Sequence, residues 1–207
     1  MRKTKPHIGI QYLRKLPHKP IQEFAGEISH PNLEYLEDAQ SEFGPYAGLE
    51  WLLPTAVVLY IGRPYFKAFL TEAGKDHYQI LRTAVVKLSQ KYIGKSVAKL
   101  HSISAGGKGG GATGTYSLIY SIIIELNQGL RFKLLIEEDL SPEQVELATA
   151  ALLDCAKAFH NESELPVPIE GLKFVKPFSG TILINYNFES DHFVIIDPSS
   201  SKYASKG

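Results

Sequence analysis

The chain has 207 residues, 44% hydrophobic and 21% charged, with 22 basic and 22 acidic side chains. That length and make-up suit a globular domain with a sizeable core, and the balanced charge excludes a wholesale attraction to nucleic acid or membrane. The single cysteine, Cys155, excludes an internal disulfide and a multi-cysteine zinc site. No apolar run approaches the roughly 20 residues of a bilayer span, and no signal-peptide pattern follows the basic first residues, so a cytoplasmic protein is expected.

Charge is segregated along the chain. Residues 1–20 carry six Lys and Arg and no acid, and residues 21–50 carry seven acids and no Lys or Arg. Segments of opposite sign are expected to pair off as they pack rather than stand as separate patches.

Residues 1–53 read as an irregular N-terminal arm packed on the core. Ile8, Ile10 and Tyr12 alternate with Gly9 and Gln11 as in a short strand, and Pro17 and Pro20 break it. A short helix is expected from Asn32 as N-cap through Tyr35, Leu36, Ala39 and Phe43 to the stop at Gly44-Pro45. Phe43, Tyr46 and Trp51 cluster before the first core strand. They are candidate contacts for a protein partner, or else pack the arm onto the domain.

Residues 54–198 read as one α+β domain. "TAVVLYIG", ending at Gly62, is a β-branched run suited to the interior of a sheet. A helix follows from Pro64 to Gly94, with Phe66, Phe69, His77, Leu81, Val85, Leu88 and Tyr92 on one apolar stripe and a bend expected at Gly74. "TYSLIYSIIIEL" and "LRFKLLIEED" form a hairpin turned at Gly129. Ser141, Pro142 and Gln144 make a capping box for a second helix. "GTILINYNF" and "HFVIIDP" close the order as two strands. The pattern β-α-β-β-α-β, with a last strand added, predicts a ferredoxin-like core: a mostly antiparallel sheet with two helices on one face. Residues 199–207 read as a flexible tail.

Several residues are candidates for function. "SAGGKGGGATG" holds six glycines between Ser104 and Gly114. Lys108 with Gly107 and Gly109 is the anion-binding candidate, although a Walker loop would place Ser or Thr after the lysine and a helix beyond it. The expectation is a mobile contact loop that orders on binding. Lys87, Lys91, Lys95 and Lys99 recur every four residues, a basic stripe able to follow a phosphate backbone. His77 with Asp76 and Glu72 offers an imidazole beside carboxylates; its place on the apolar stripe favours a packed, hydrogen-bonded histidine. Glu137, Glu138 and Asp139 at a strand end, with Asp191, His192 and Asp197 in the last hairpin, are oxygen and imidazole groups of the kind that hold Mg²⁺ or Mn²⁺. Cys155 lies on an apolar helix face and reads as a buried small hydrophobe. Hydrolase, metalloprotease and kinase signatures do not occur.

The leading expectation is a non-catalytic α+β protein that acts through protein–protein contact or self-association, with no cofactor. The alternatives are a phosphate- or nucleotide-handling enzyme built on the glycine-rich loop and a nucleic-acid binder using the lysine stripe.

Overall fold

The structure, a computed structural model, describes residues 5–41, 55–70, 74–93, 116–127, 129–172, 177 and 180–196. Eleven elements follow in chain order: β1 (Ile8–Leu13), α1 (Lys19–Glu27), β2 (Tyr35–Gln40), β3 (Val57–Ile61), α2 (Arg63–Phe69), α3 (Lys75–Tyr92), β4 (Tyr116–Asn127), β5 (Leu130–Glu137), α4 (Pro142–His160), β6 (Thr181–Asn187) and β7 (His192–Ile196). The seven strands form one mixed sheet in the order β2-β1-β3-β4-β5-β6-β7.

Parallel and antiparallel neighbours alternate across this sheet. β1 with β2, β3 with β4 and β5 with β6 are parallel. β1 with β3, β4 with β5 and β6 with β7 are antiparallel. Each parallel pair is bridged by helix: α1 for the first, α2 and α3 for the second, α4 for the third. A parallel neighbour needs a crossover of this length to return the chain to the same end of the sheet.

The ferredoxin-like core with two helices and an irregular N-terminal arm is therefore wrong, and two physical reasons account for it. Period-two and period-3.6 patterns identify strands and helices but do not say which strand lies beside which. Here each helix returns its chain to the adjacent position, so β3–β4 and β5–β6 are direct parallel pairs. Second, β2 is an edge strand with half its surface in solvent, its burial running intermediate, three exposed, two intermediate. "YLEDAQ" consequently lacks the apolar alternation of a strand and was expected to be helical. Pro20, expected as a breaker, sits in the first turn of α1, where its missing N–H costs nothing. β1, α1 and β2 thus form a third β-α-β unit of the same sheet.

One core cluster joins alternate residues of every strand except β2 to all four helices. It includes Ile8 and Ile10 of β1, Val57, Leu59 and Ile61 of β3, Ile122 and Ile124 of β4, Phe132 and Leu134 of β5, and Ile182 and Ile184 of β6. Tyr35 and Ala39 of β2 pack against it. The helices therefore cover one face of the sheet. A second, small cluster of Tyr116, Leu135, Leu183 and Ile196 lies on the opposite face.

The expected long helix is broken in two. Gly74 is the N-cap of α3, and a Cβ placed there would lie 2.6 Å from the Phe69 backbone. Only glycine lets α2 and α3 turn this sharply against each other. The β4–β5 hairpin turns at Gly129, whose φ of +92° is open to glycine. α4 begins with the full capping box: the Gln144 amide donates to Ser141 Oγ and the Ser141 amide to Gln144 Oε1.

Opposite charges do meet across the segments. Lys87 Nζ contacts Glu27 at 3.1 Å, and the His18 ring meets Glu37 at 3.0 Å in a hydrogen bond. Lys5 reaches further, to Glu125 at 2.5 Å. Among the described residues no helix is long and apolar enough to cross a membrane.

Candidate functional site

The helix-free face of the sheet carries a groove of about 360 Å³ over β2, β1, β3 and β4. Strand alternation builds it. Register sets Leu36, Gly9, Tyr60 and Ile123 side by side on four successive strands, continuing to Lys133 and Leu183. Gln11 pairs with Asp38 on one side and Val58 on the other in the neighbouring row. Gly9 has no side chain to fill the space between Leu36 and Tyr60, so a hollow opens there. Leu36, Val58 and Ile123 make the wall apolar, while Lys5 and Arg131 stand at one end and Asp38 at the other.

Glu125 anchors the cationic end. It is almost fully buried, yet its carboxylate is well served. Lys5 Nζ donates to one oxygen at 2.5 Å, and Tyr60 Oη and the Arg63 amide donate to the other at 2.7 and 3.2 Å. Burial alone would raise its pKa; the three donors and the lysine charge outweigh that and hold it below the usual carboxylate range. Burial, and then this same bond, pushes the Tyr60 hydroxyl far above its ordinary value. Glu125 thus ties the segment before β1, β3 and the start of α2 to β4. Arg131 is its register partner on β5.

Lys133, next along β5 on this face, is buried, and burial pulls its pKa down to about 8. On the other side of the sheet His160 stacks on Phe66 at 4.3 Å, and its Nε2 lies 3.0 Å from the Glu125 carbonyl oxygen. Burial lowers its pKa. The groove joins an apolar wall to charged ends of opposite sign.

The other candidates lie apart from the groove. His77 is buried within a ring cluster, 4.5 Å from Phe69 and 5.3 Å from His30 between centroids. Its Nε2 lies 2.9 Å from the Ile28 carbonyl, which can only accept, so Nε2 carries the proton. Nδ1 then accepts from Tyr65 Oη at 3.1 Å. Burial holds the imidazole pKa below its ordinary value. Asp76 is exposed in the first turn of α3, where an acid complements the helix dipole.

Lys87 and Lys91 are exposed on α3 and border a hollow of about 350 Å³ against α1, where Glu23 and Glu27 also stand. Glu137 ends β5, and burial raises its pKa. Glu138 and Asp139 follow in the turn before α4. His192 contacts Glu170 at 3.0 Å, and Asp191 bonds the Tyr186 hydroxyl. Among the described residues no group of three or more His, Cys, Asp and Glu is placed to hold a metal ion. Cys155 is buried with Sγ 3.5 Å from the Val167 carbonyl, and burial pushes its thiol up to about 11. Gly107, Lys108, Gly109, Lys95, Lys99, Glu72, Phe43, Tyr46, Trp51, Asp197 and the tail 199–207 lie outside the described residues.

The groove residues were not singled out from sequence. Arg131 and Lys133 alternate with Phe132 and Leu134, a pattern that does mark one charged strand face. Lys5, Leu36 and Asp38 carry no such signal, because their relevance depends on β2 and β1 joining the sheet.

Compared with known proteins, the chain matches no family model, no curated protein and no solved structure.

Proposed function

We propose that the protein is a non-catalytic binding module that contacts another protein through the open face of its sheet, in a cytoplasmic setting. The observation that carries the reading is the groove beside the edge strand, with Leu36 left 56% exposed at its rim. An exposed apolar side chain beside a concave, mainly apolar surface with charged ends is how contact sites for proteins are commonly built. The buried Glu125 carboxylate, held by Tyr60 and the Arg63 amide, pairs with the exposed Lys5 at the cationic end, and a site held in place lowers the ordering cost of binding. A reducing compartment fits a lone, buried cysteine.

A photo-crosslinking amino acid in place of Leu36 tests this in cells. The expected result is a discrete protein adduct from position 36 and none from Ile80, an exposed apolar residue on α3. A stable, folded variant that yields no adduct from position 36 defeats the reading.

A further inference from the structure

Building on that reading, we propose that β2 is a docking edge, to which the partner adds an extended segment bearing lysine or arginine as an eighth strand. Among the described residues β2 is outermost in the sheet and pairs only with β1. Its backbone polarity follows from the parallel ladder. Glu34 and Gln40 turn their carbonyls toward β1, accepting from Ile8 and Arg14 at 3.2 and 2.9 Å. Residues of one parity in a parallel strand face the neighbour with both backbone groups. Leu36 and Asp38 therefore face β1, and Tyr35, Glu37 and Ala39 face outward. The Ala39 carbonyl is held by Arg14 Nε at 3.2 Å, which closes that end of the edge. Among the described residues no backbone partner meets the outward groups of Tyr35 and Glu37, and Leu36, Glu37 and Asp38 are consecutively exposed.

Charge selects the occupant. Residues 34–40 hold three acids, Glu34, Glu37 and Asp38, and no Lys or Arg. Glu37 meets His18 and the Tyr35 hydroxyl, and Asp38 accepts from Gln11. Among the described residues their charge is thus met by neutral donors and an imidazole, and by no Lys or Arg. A second copy adding antiparallel about the strand centre would set Glu37 opposite Glu37, and like charges directly opposite destabilise a pair. A basic strand meets the reverse situation. Its residues opposite Glu37 and Asp38 would be cationic, and its residue opposite Leu36 apolar, lying over the groove. Main-chain bonds would supply affinity and these side chains specificity.

The probe is acetyl-Thr-Val-Lys-Lys-Val-Thr-amide, whose order reads the same in either strand direction. Amide shifts and hydrogen exchange of the full chain should report binding at Tyr35 and Glu37. The matching glutamate peptide should bind at least about tenfold more weakly, and added salt should weaken the lysine peptide. N-methylation of alternate peptide residues should abolish binding for one set and spare it for the other, because only one set faces β2. Glu37→Pro removes an outward N–H without touching the β1–β2 ladder, and should lose the peptide while keeping its fold. Glu37→Lys should shift the preference toward the glutamate peptide. Equal binding of both peptides, equal binding of both N-methyl sets, or a dimer that Glu37→Pro abolishes would each overturn the proposal. An adduct from position 36 alongside such a failure would leave the binding-module reading standing and remove only the docked strand.

Discussion

His77 illustrates how far a titratable side chain's setting decides its role. Its neutral form is fully bonded, donating to Ile28 and accepting from Tyr65. Protonation would cost the bond from Tyr65 and place a charge beside His30 in an aromatic cluster. Because the folded pKa is depressed, the unfolded chain binds a proton first as pH falls. Stability is then fully present above about pH 6.5 and declines from there down to the lower folded value, with His160 contributing in the same sense. Urea denaturation between pH 7.5 and 5 should show this fall, and His77→Gln should flatten it. An unchanged slope in that variant would exclude His77 as a source. Glu125 acts in a separate, more acidic window. Its folded pKa is also depressed, but for a carboxylate the stabilisation is present above the usual carboxylate range and is lost as pH falls through the folded value. Glu125→Ala should cost about 1–3 kcal/mol by leaving the Tyr60 hydroxyl and the Arg63 amide without their acceptor, while the exposed Lys5 returns to water. Glu125→Gln, which still accepts from Tyr60 and Arg63, should cost less. Equal losses in the two variants would show that the carboxylate oxygens as acceptors do not matter.

At the scale of elements, the two glycines of the first two helical units should respond in opposite ways to the same change. Gly74→Ala forces a Cβ into the Phe69 backbone, and should destabilise by about 2 kcal/mol or more as the α2–α3 joint opens. Gly26, exposed within α1, has no atom within 4 Å of its would-be Cβ. Gly26→Ala should therefore stabilise by about 0.5–1 kcal/mol through helix propensity. Thermal melts of both variants check the pair, and a stabilising Gly74→Ala would refute the close approach. Elements of this kind were legible in the sequence where their signal was local. The bend at Gly74, the hairpin at Gly129 and the capping box at Ser141 follow from residues a few positions apart. β2 was not legible, because an edge strand needs apolar side chains only where it faces the core, here Tyr35 and Ala39. The groove was hidden for the same reason. Lys5 sits 120 residues from Glu125, and nothing local in either segment announces the pairing.

For the molecule as a whole, the alternating sheet makes β1, α1 and β2 part of the same sheet and core as the rest. β1 is an interior strand, paired with β2 on one side and along five residues with β3 on the other. Val57, Leu59 and Ile61 of β3 are fully buried, as is Ile8 of β1. A chain starting at residue 54 would expose the β3 edge, together with the apolar surface that β1 and α1 cover. Long, apolar, unpaired edges recruit other chains, so this truncation should aggregate or fail to fold. Among the described residues the helices pack on one continuous cluster that reaches from Ile8 to Phe193. The intact chain should accordingly unfold in one calorimetric transition, with equal van't Hoff and calorimetric enthalpies. A folded, monomeric 54–207 fragment that melts within a few degrees of the full chain would show instead that β1, α1 and β2 are an independent addition. In that case the Lys5–Glu125 pair, which joins the two parts, would carry little of the stability.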